Sequence, residues 1–144
     1  MSYNCATYIY IQSNHTLERL NLNSTGIRTV AMTFLAIVLK DHPSIKHLHI
    51  AKPYLHSTEE TCIHLSEMLK YNNRLLTLDL SSFGLRAESM KILNRGLMLN
   101  RSITNLNMCG YVSMDLLLFF LELFSGVCCL SAHTHQQSIC ITYE

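Results

Sequence analysis

A triplet of aliphatic residues in the spacing L-x-x-L-x-L returns four times in this chain, and that recurrence limits its fold more than any other feature. The copies start at Leu17 (LERLNL), Ile45 (IKHLHI), Leu75 (LLTLDL) and Ile103 (ITNLNM), so the steps are 28, 30 and 28 residues. In each copy the last two aliphatic positions alternate with polar ones, as a strand with one buried face requires. After the third copy the period changes. Met90, Leu93 and Leu97 recur at spacings of three and four, the signature of one helix face. One strand, one turn and one helix therefore make a unit, which has too little apolar surface to bury alone and needs copies of itself on either side.

The helix of the first unit is predicted over residues 29–40, with Val30, Phe34, Leu35 and Val38 inward and Pro43 closing it. In the second unit Ser57 stands three residues before Glu60, a capping-box spacing. Cys62, Leu65, Met68 and Leu69 give that helix its inner face, Glu59, Glu67 and Lys70 meet water, and Asn72 and Asn73 end it. In the third helix Glu88, Lys91, Asn94 and Arg95 take the outer side. Gly96 costs that helix about 1 kcal/mol relative to alanine, which points to a close backbone contact. Residues 1–16 read as an N-terminal cap or partial repeat. The alternation of Tyr8 and Tyr10 with Ile9 and Ile11 predicts an extended segment there, the alternative being that an upstream repeat is missing.

Residues 17–109 resemble leucine-rich repeats, and the full helix in each period resembles the ribonuclease-inhibitor type of that family. The resemblance implies an α/β solenoid, a horseshoe segment with parallel strands on the concave side and helices on the convex side. It also implies an asparagine or cysteine just after each strand, hydrogen-bonding successive turns into a ladder. Thr25, Pro53 and Phe83 hold that place here. Proline has no amide hydrogen and phenylalanine no polar group, so irregular turns are expected at 51–56 and 81–86.

Proteins of this type dock other proteins on the concave surface, so the same is expected of this chain. By register, one outward column is Arg19, His47, Thr77 and Asn105, and the next is Asn21, His49, Asp79 and Asn107. These eight are the candidate protein-binding residues. A third column is Asn23, Ala51, Ser81 and Cys109. Parallel strands lie about 4.8 Å apart, which makes His49 and Asp79 neighbours on a polar, nearly neutral surface.

Other classes fit poorly. With 144 residues the chain has room for one domain, and 49% hydrophobic residues supply a core. A net charge of +1 gives no electrostatic case for nucleic acid or an anionic membrane. The six cysteines show no regular spacing, and residues 1–12 lack a basic start and a long apolar run. Together these place the chain in a reducing compartment, the cytoplasm or nucleus, where the sequons at Asn14, Asn23 and Asn100 carry no sugar. His47, His49 and Asp79 are ligand types for zinc, but they sit on an open face without a fourth ligand. Cys128, Cys129, His133, His135 and Cys140 match no standard zinc spacing and read as tail residues. His15, His42, His56 and His64 read as scattered surface groups. No G-x-S-x-G, G-x-x-x-x-G-K or H-E-x-x-H occurs, so neither an enzyme, a cofactor, a metal nor a small-molecule substrate is expected.

The register fails after Met108. Ser113 stands where earlier units place an apolar residue, and YVSMDLLLFFLELFSGVCCL is apolar on nearly every side. Residues 110–144 are therefore expected to be a divergent hydrophobic segment, a replaced tail packed as a helix on the last repeat. That mismatch raises a second reading, a truncated isoform or fragment without binding function of its own. A membrane-associated form through 114–130 is the third, opposed by Asp115 and Glu122.

Overall fold

The computed structural model describes the backbone of residues 5–110, 129–133 and 138–142, and side chains within residues 8–110. Strands and helices alternate: α1 (Cys5–Ser13), β1 (Arg19–Asn21), α2 (Thr29–Lys40), β2 (His47–His49), α3 (Thr58–Tyr71), β3 (Thr77–Asp79), α4 (Ala87–Leu99) and β4 (Asn105–Asn107). A hairpin of β5 (Cys129–His133) and β6 (Ser138–Thr142) follows. The sheet order is β1-β2-β3-β4-β6-β5, with β1 to β4 parallel and β6 antiparallel to β4. The molecule is thus α/β, with helices packed on one face of a largely parallel sheet.

Leu20, Leu48, Leu78 and Leu106 are in register across the four parallel strands. They carry one core, which continues through Ile45, Leu75 and Ile103 before the strands and Ile50, Leu80 and Met108 after them. Leu65, Met68, Leu69, Met90, Leu93 and Leu97 close it from the helix layer. Gly96 sits where α4 meets α3. A Cβ there would lie 2.3 Å from the Ser66 carbonyl oxygen, so only glycine permits the approach.

Several expectations need correction. Residues Cys5–Ser13 form a helix, not an extended segment. Tyr8 and Ile11, three apart, pack on the core while Ile9 and Tyr10 face water, and the Tyr8 hydroxyl donates to the Ala31 carbonyl at 3.1 Å. Burying that face against α2 wins over a local alternation that only mimics a strand.

Helix α2 has the predicted limits but another phase. Ala31, Met32, Leu35, Ala36 and Leu39 are buried, Val30 and Phe34 are 69% and 50% exposed, and Val38 is half-buried. Apolar residues lie all round TVAMTFLAIVLK, so polarity marks no outer side, and packing against the neighbouring elements selects which of them are buried. In α4, Asn94 is buried rather than outward, with no partner for its Oδ1. It lies at i+4 from Met90 and one residue after Leu93, inside the arc that faces the core.

The turn at 81–86 repeats the first, the Phe83 amide donating to the Leu80 carbonyl at 3.2 Å as the Thr25 amide does to Leu22 at 3.4 Å, with Gly84 like Gly26 at positive φ. The turn at 51–56 lacks both features, since Pro53 has no N–H and Tyr54 stands in the glycine's place. Ser24, Lys52, Ser82 and Gly110, each three residues after its strand, share a left-handed backbone with φ of 56°, 52°, 53° and 85°. The amides of the first three donate to the next turn, on Ala51, Ser81 and Cys109 carbonyls at 2.9, 3.0 and 2.7 Å. Main-chain bonds thus join the turns without help from Pro53, while Phe83 is buried in the core. The Ser57 hydroxyl accepts from the Glu60 amide at 3.2 Å, as the capping spacing predicts.

A polar ladder does exist, but it precedes each strand. Asn14, His42, Asn72 and Asn100 each stand three residues ahead of the first strand aliphatic, where a helix turns into the next strand. The Oδ1 of Asn72 accepts from the amides of Arg74 and Leu75, and that of Asn100 from Ser102 and Ile103. Asn14 does the same for Thr16 and Leu17. Each carboxamide NH2 of the last two units reaches back, Asn72 to the Leu39 carbonyl and Asn100 to that of Leu69 at 2.8 Å. His42, 3% exposed rather than a surface group, copies this with a ring. Its Nδ1 faces the Ser44 and Ile45 amides at 3.4 and 3.3 Å and must accept, so Nε2–H donates to the Ile11 carbonyl at 2.8 Å.

The expected tail helix falls mostly on residues 111–128, outside the described residues. Beyond them, Cys129–His133 and Ser138–Thr142 extend the sheet, with Leu106 opposite Ile141 and Ile141 opposite Leu130. Cys129, His133 and Cys140 are therefore strand residues. The period-two alternation of Leu130 with Ala132 and of Ile139 with Ile141 suits strand pairing. Among the described residues no helix is long and apolar enough to cross a membrane.

Two substitutions test this architecture. Gly96→Ala should cost roughly 1 to 3 kcal/mol by overpacking against Ser66 in denaturant melts, reversing the gain that helix propensity alone predicts. His42→Ala should cost roughly 1 to 3 kcal/mol by stranding buried amides, and His42→Asn should recover most of that loss.

Candidate functional site

The strands place the eight candidate residues on the sheet face away from the helices, because the central leucine of each strand turns to the core. Arg19, His47, Thr77 and Asn105 are in register across the sheet, as are Asn21, His49, Asp79 and Asn107. All eight are exposed or half-buried. Of the third column, Asn23, Ser81 and Cys109 are half-buried, while Ala51 is buried.

The two rows differ in how freely their polar atoms face a partner. In the second row, Asn21, Asp79 and Asn107 each accept, through Oδ1, the amide two residues on: Asn23 at 3.0 Å, Ser81 at 3.0 Å and Cys109 at 3.1 Å. Asp79 also accepts from the Ser81 hydroxyl. These side chains hold the turns. Sequence reading saw them only as outward residues, although the two-residue spacing to the turn was open to view. In the second unit His49 stands in this row, and the Ala51 amide goes instead to Asn23 Oδ1 at 2.7 Å.

His49 Nδ1 lies 3.5 Å from the other Asp79 oxygen, so the two are the predicted neighbours. The His47 Nδ1 lies 3.0 Å from the Thr77 hydroxyl. Burial holds the His47 pKa below the ordinary 6.5, and Arg19 and His49 push the same way. The imidazole is therefore kept neutral. At the rim, Lys46 pairs with Glu18 at 2.6 Å and lowers its carboxyl pKa. The face as a whole is a field of hydrogen-bonding groups, with the Arg19 guanidinium at one edge and the Asp79 carboxylate near its centre.

Cys62 is fully buried, and desolvation pushes its thiol up to about 12, so it stays protonated. Among the described residues no three His, Cys, Asp or Glu side chains stand where they could hold a metal ion. The cluster containing Cys128 and His135 lies partly outside the described residues.

The His47 environment has a thermodynamic consequence. Because the folded state lowers its pKa, the unfolded chain binds that proton more readily, so stability is full above the ordinary 6.5 and falls as the pH drops through it. Thermal melts from about pH 7.5 to about 5.5 should show a falling midpoint, and His47→Gln should flatten part of that fall. Losses that set in only below 4.5 belong to Glu18 and Glu67, whose carboxyls are held down by Lys46 and Lys70. No family model matches the chain and no curated protein matches it, so the role of this face is argued from its own residues.

Proposed function

We propose that the chain is a segment of a leucine-rich-repeat solenoid of the ribonuclease-inhibitor type, and that it acts as a non-catalytic module binding another protein. The observation that carries this is the pair of in-register rows, Arg19-His47-Thr77-Asn105 and Asn21-His49-Asp79-Asn107, on the helix-free face. The repeat assignment is supported by one period governing three features. The strand leucines, the left-handed turn residues and the Asn/His ladder all advance together.

The rows favour a protein over a small ligand because they form a broad surface of separate polar side chains. Stable partners bury about 800 Å² a side, which asks for contacts beyond one row. Arg19, His47, His49, Thr77 and Asn105 are the residues left to meet a partner, since Asn21, Asp79 and Asn107 are tied to their turns. An intracellular, reducing setting is part of the proposal, and the free thiols of Cys62 and Cys109 agree with it.

Affinity capture from cell extract with the full chain tests this reading. His47→Ala with His49→Ala should abolish capture while leaving circular dichroism unchanged, because neither side chain holds a turn. Glu67→Ala with Lys91→Ala, on the helix side, should leave capture intact, since exposed pairs such as Lys70–Glu67 and Lys91–Glu88 contribute little. Loss with the helix pair alone would move the site to the other face. Failure of the wild-type chain to capture any partner would favour a fragment without independent binding function.

A further inference from the structure

The main-chain bonds between units follow one rule. The amides of Lys46 and His47 donate to the Glu18 carbonyl, those of Leu76 and Thr77 to Lys46, and those of Thr104 and Asn105 to Leu76. In return the carbonyls of His49 and Ala51 accept from Leu22 and Ser24, those of Asp79 and Ser81 from Ile50 and Lys52, and those of Asn107 and Cys109 from Leu80 and Ser82. Every upstream-facing edge thus meets a parallel strand that offers one carbonyl, then amides four and six residues later. Strand β1 is the edge of the sheet. By the same register it turns the amides of Glu18 and Arg19 and the carbonyls of Asn21 and Asn23 to its open side. Among the described residues none of these four groups has a hydrogen-bond partner.

A largely apolar pocket of about 190 Å³ opens beside that edge, lined by Tyr8, Ile11, Leu22, Ile27, Ala31 and Leu35 together with Thr25, whose hydroxyl donates to the Leu22 carbonyl. Leu17, Leu20 and Leu22 are only half-buried, whereas Leu48 and Leu78 are 0% exposed and Leu106 is 1%. The edge is therefore open in both backbone and side-chain terms. Unpaired strand edges are templates for strand addition, and the flanking pocket selects the side chain that enters.

We propose that β1 is a strand-addition site for an extended segment of a separate polypeptide, running parallel to β1 and carrying aliphatic residues in aliphatic-x-aliphatic spacing. Parallel direction follows from the three like-facing edges inside the chain. Aliphatic character follows from the neighbour of Leu22, which in register is Ile50 and then Leu80, and from a pocket that would leave a polar group unpaired. Two β1 edges present the same groups in the same order and do not complement each other in that register. The surface lies at the end of the sheet and is distinct from a partner laid across the rows.

A blocked peptide with the sequence of residues 43–53, PSIKHLHIAKP, is the probe, since it carries Ile45, Leu48 and Ile50 and offers the Lys46 carbonyl and the Ile50 and Lys52 amides. Titrated into the isotope-labelled full chain, it should shift the amide resonances of residues 18–24 and slow exchange at Glu18 and Arg19. Methylating the peptide nitrogens of Ile50 and Lys52 should weaken binding about tenfold or more, as should Arg19→Pro in the protein. The methylated peptide keeps the test valid if the proline variant fails to fold. No binding, equal binding of the methylated peptide, or shifts confined to residues 77–79 and 105–107 would overturn the proposal. Oligomers of the chain alone that Arg19→Pro dissolves would assign the edge to a second copy and overturn it as well.

Discussion

The fold depends on how each helix is turned back into the next strand. At that corner one side chain, the buried Asn72 or His42 or the half-buried Asn100, accepts two amides of its own chain and donates to a carbonyl of the unit before. Buried amides left without partners are costly, so the corner would be the weakest point of a stacked array if it were met by apolar residues alone. One polar group instead ties local direction to neighbour contact. The aliphatic ladder supplies most of the burial, but it is these corners that bring Leu48, Leu78 and Leu106 into register.

His42 shows what such a corner demands. The requirement is an acceptor toward two amides and a donor toward the preceding unit. A neutral imidazole meets it with two nitrogens, a carboxamide with an oxygen and a nitrogen. Ring and amide differ in shape but not in function here. That is why a histidine which reads as a scattered surface group in the sequence is a buried structural one.

The strands, their register and the extents of α2 and α3 were legible because period two, the capping signals and the 28- to 30-residue step are properties of the chain alone. The outward rows followed from the same count. What escaped depended on partners. The phase of α2 is set by α1 and the sheet, not by its own all-round apolar sequence. The fate of residues 1–16 turned on burial of Tyr8 and Ile11 against a helix more than fifteen residues on. The polar ladder was sought after the strands, yet Asn14, His42, Asn72 and Asn100 keep the strands' own spacing and could have been found by counting backwards from them. In the candidate site, the roles of Asn21, Asp79 and Asn107 in holding turns were hidden because a residue's exposure says nothing about where its oxygen is bound.

Among the described residues the main contacts run between elements of neighbouring units, α1 with α2, α2 with α3, α3 with α4 and each parallel strand with the next, so coupling between adjacent units dominates. The first unit has one such neighbour and half-buried leucines; the second and third have two each. Local opening therefore starts at β1 and leaves β2 and β3 closed. The exposed rows inherit this gradient. His47, His49, Thr77 and Asp79 are carried on the most persistent strands, while Arg19 and Asn21 sit on the one that opens first, so the polar face has a rigid middle and a yielding end.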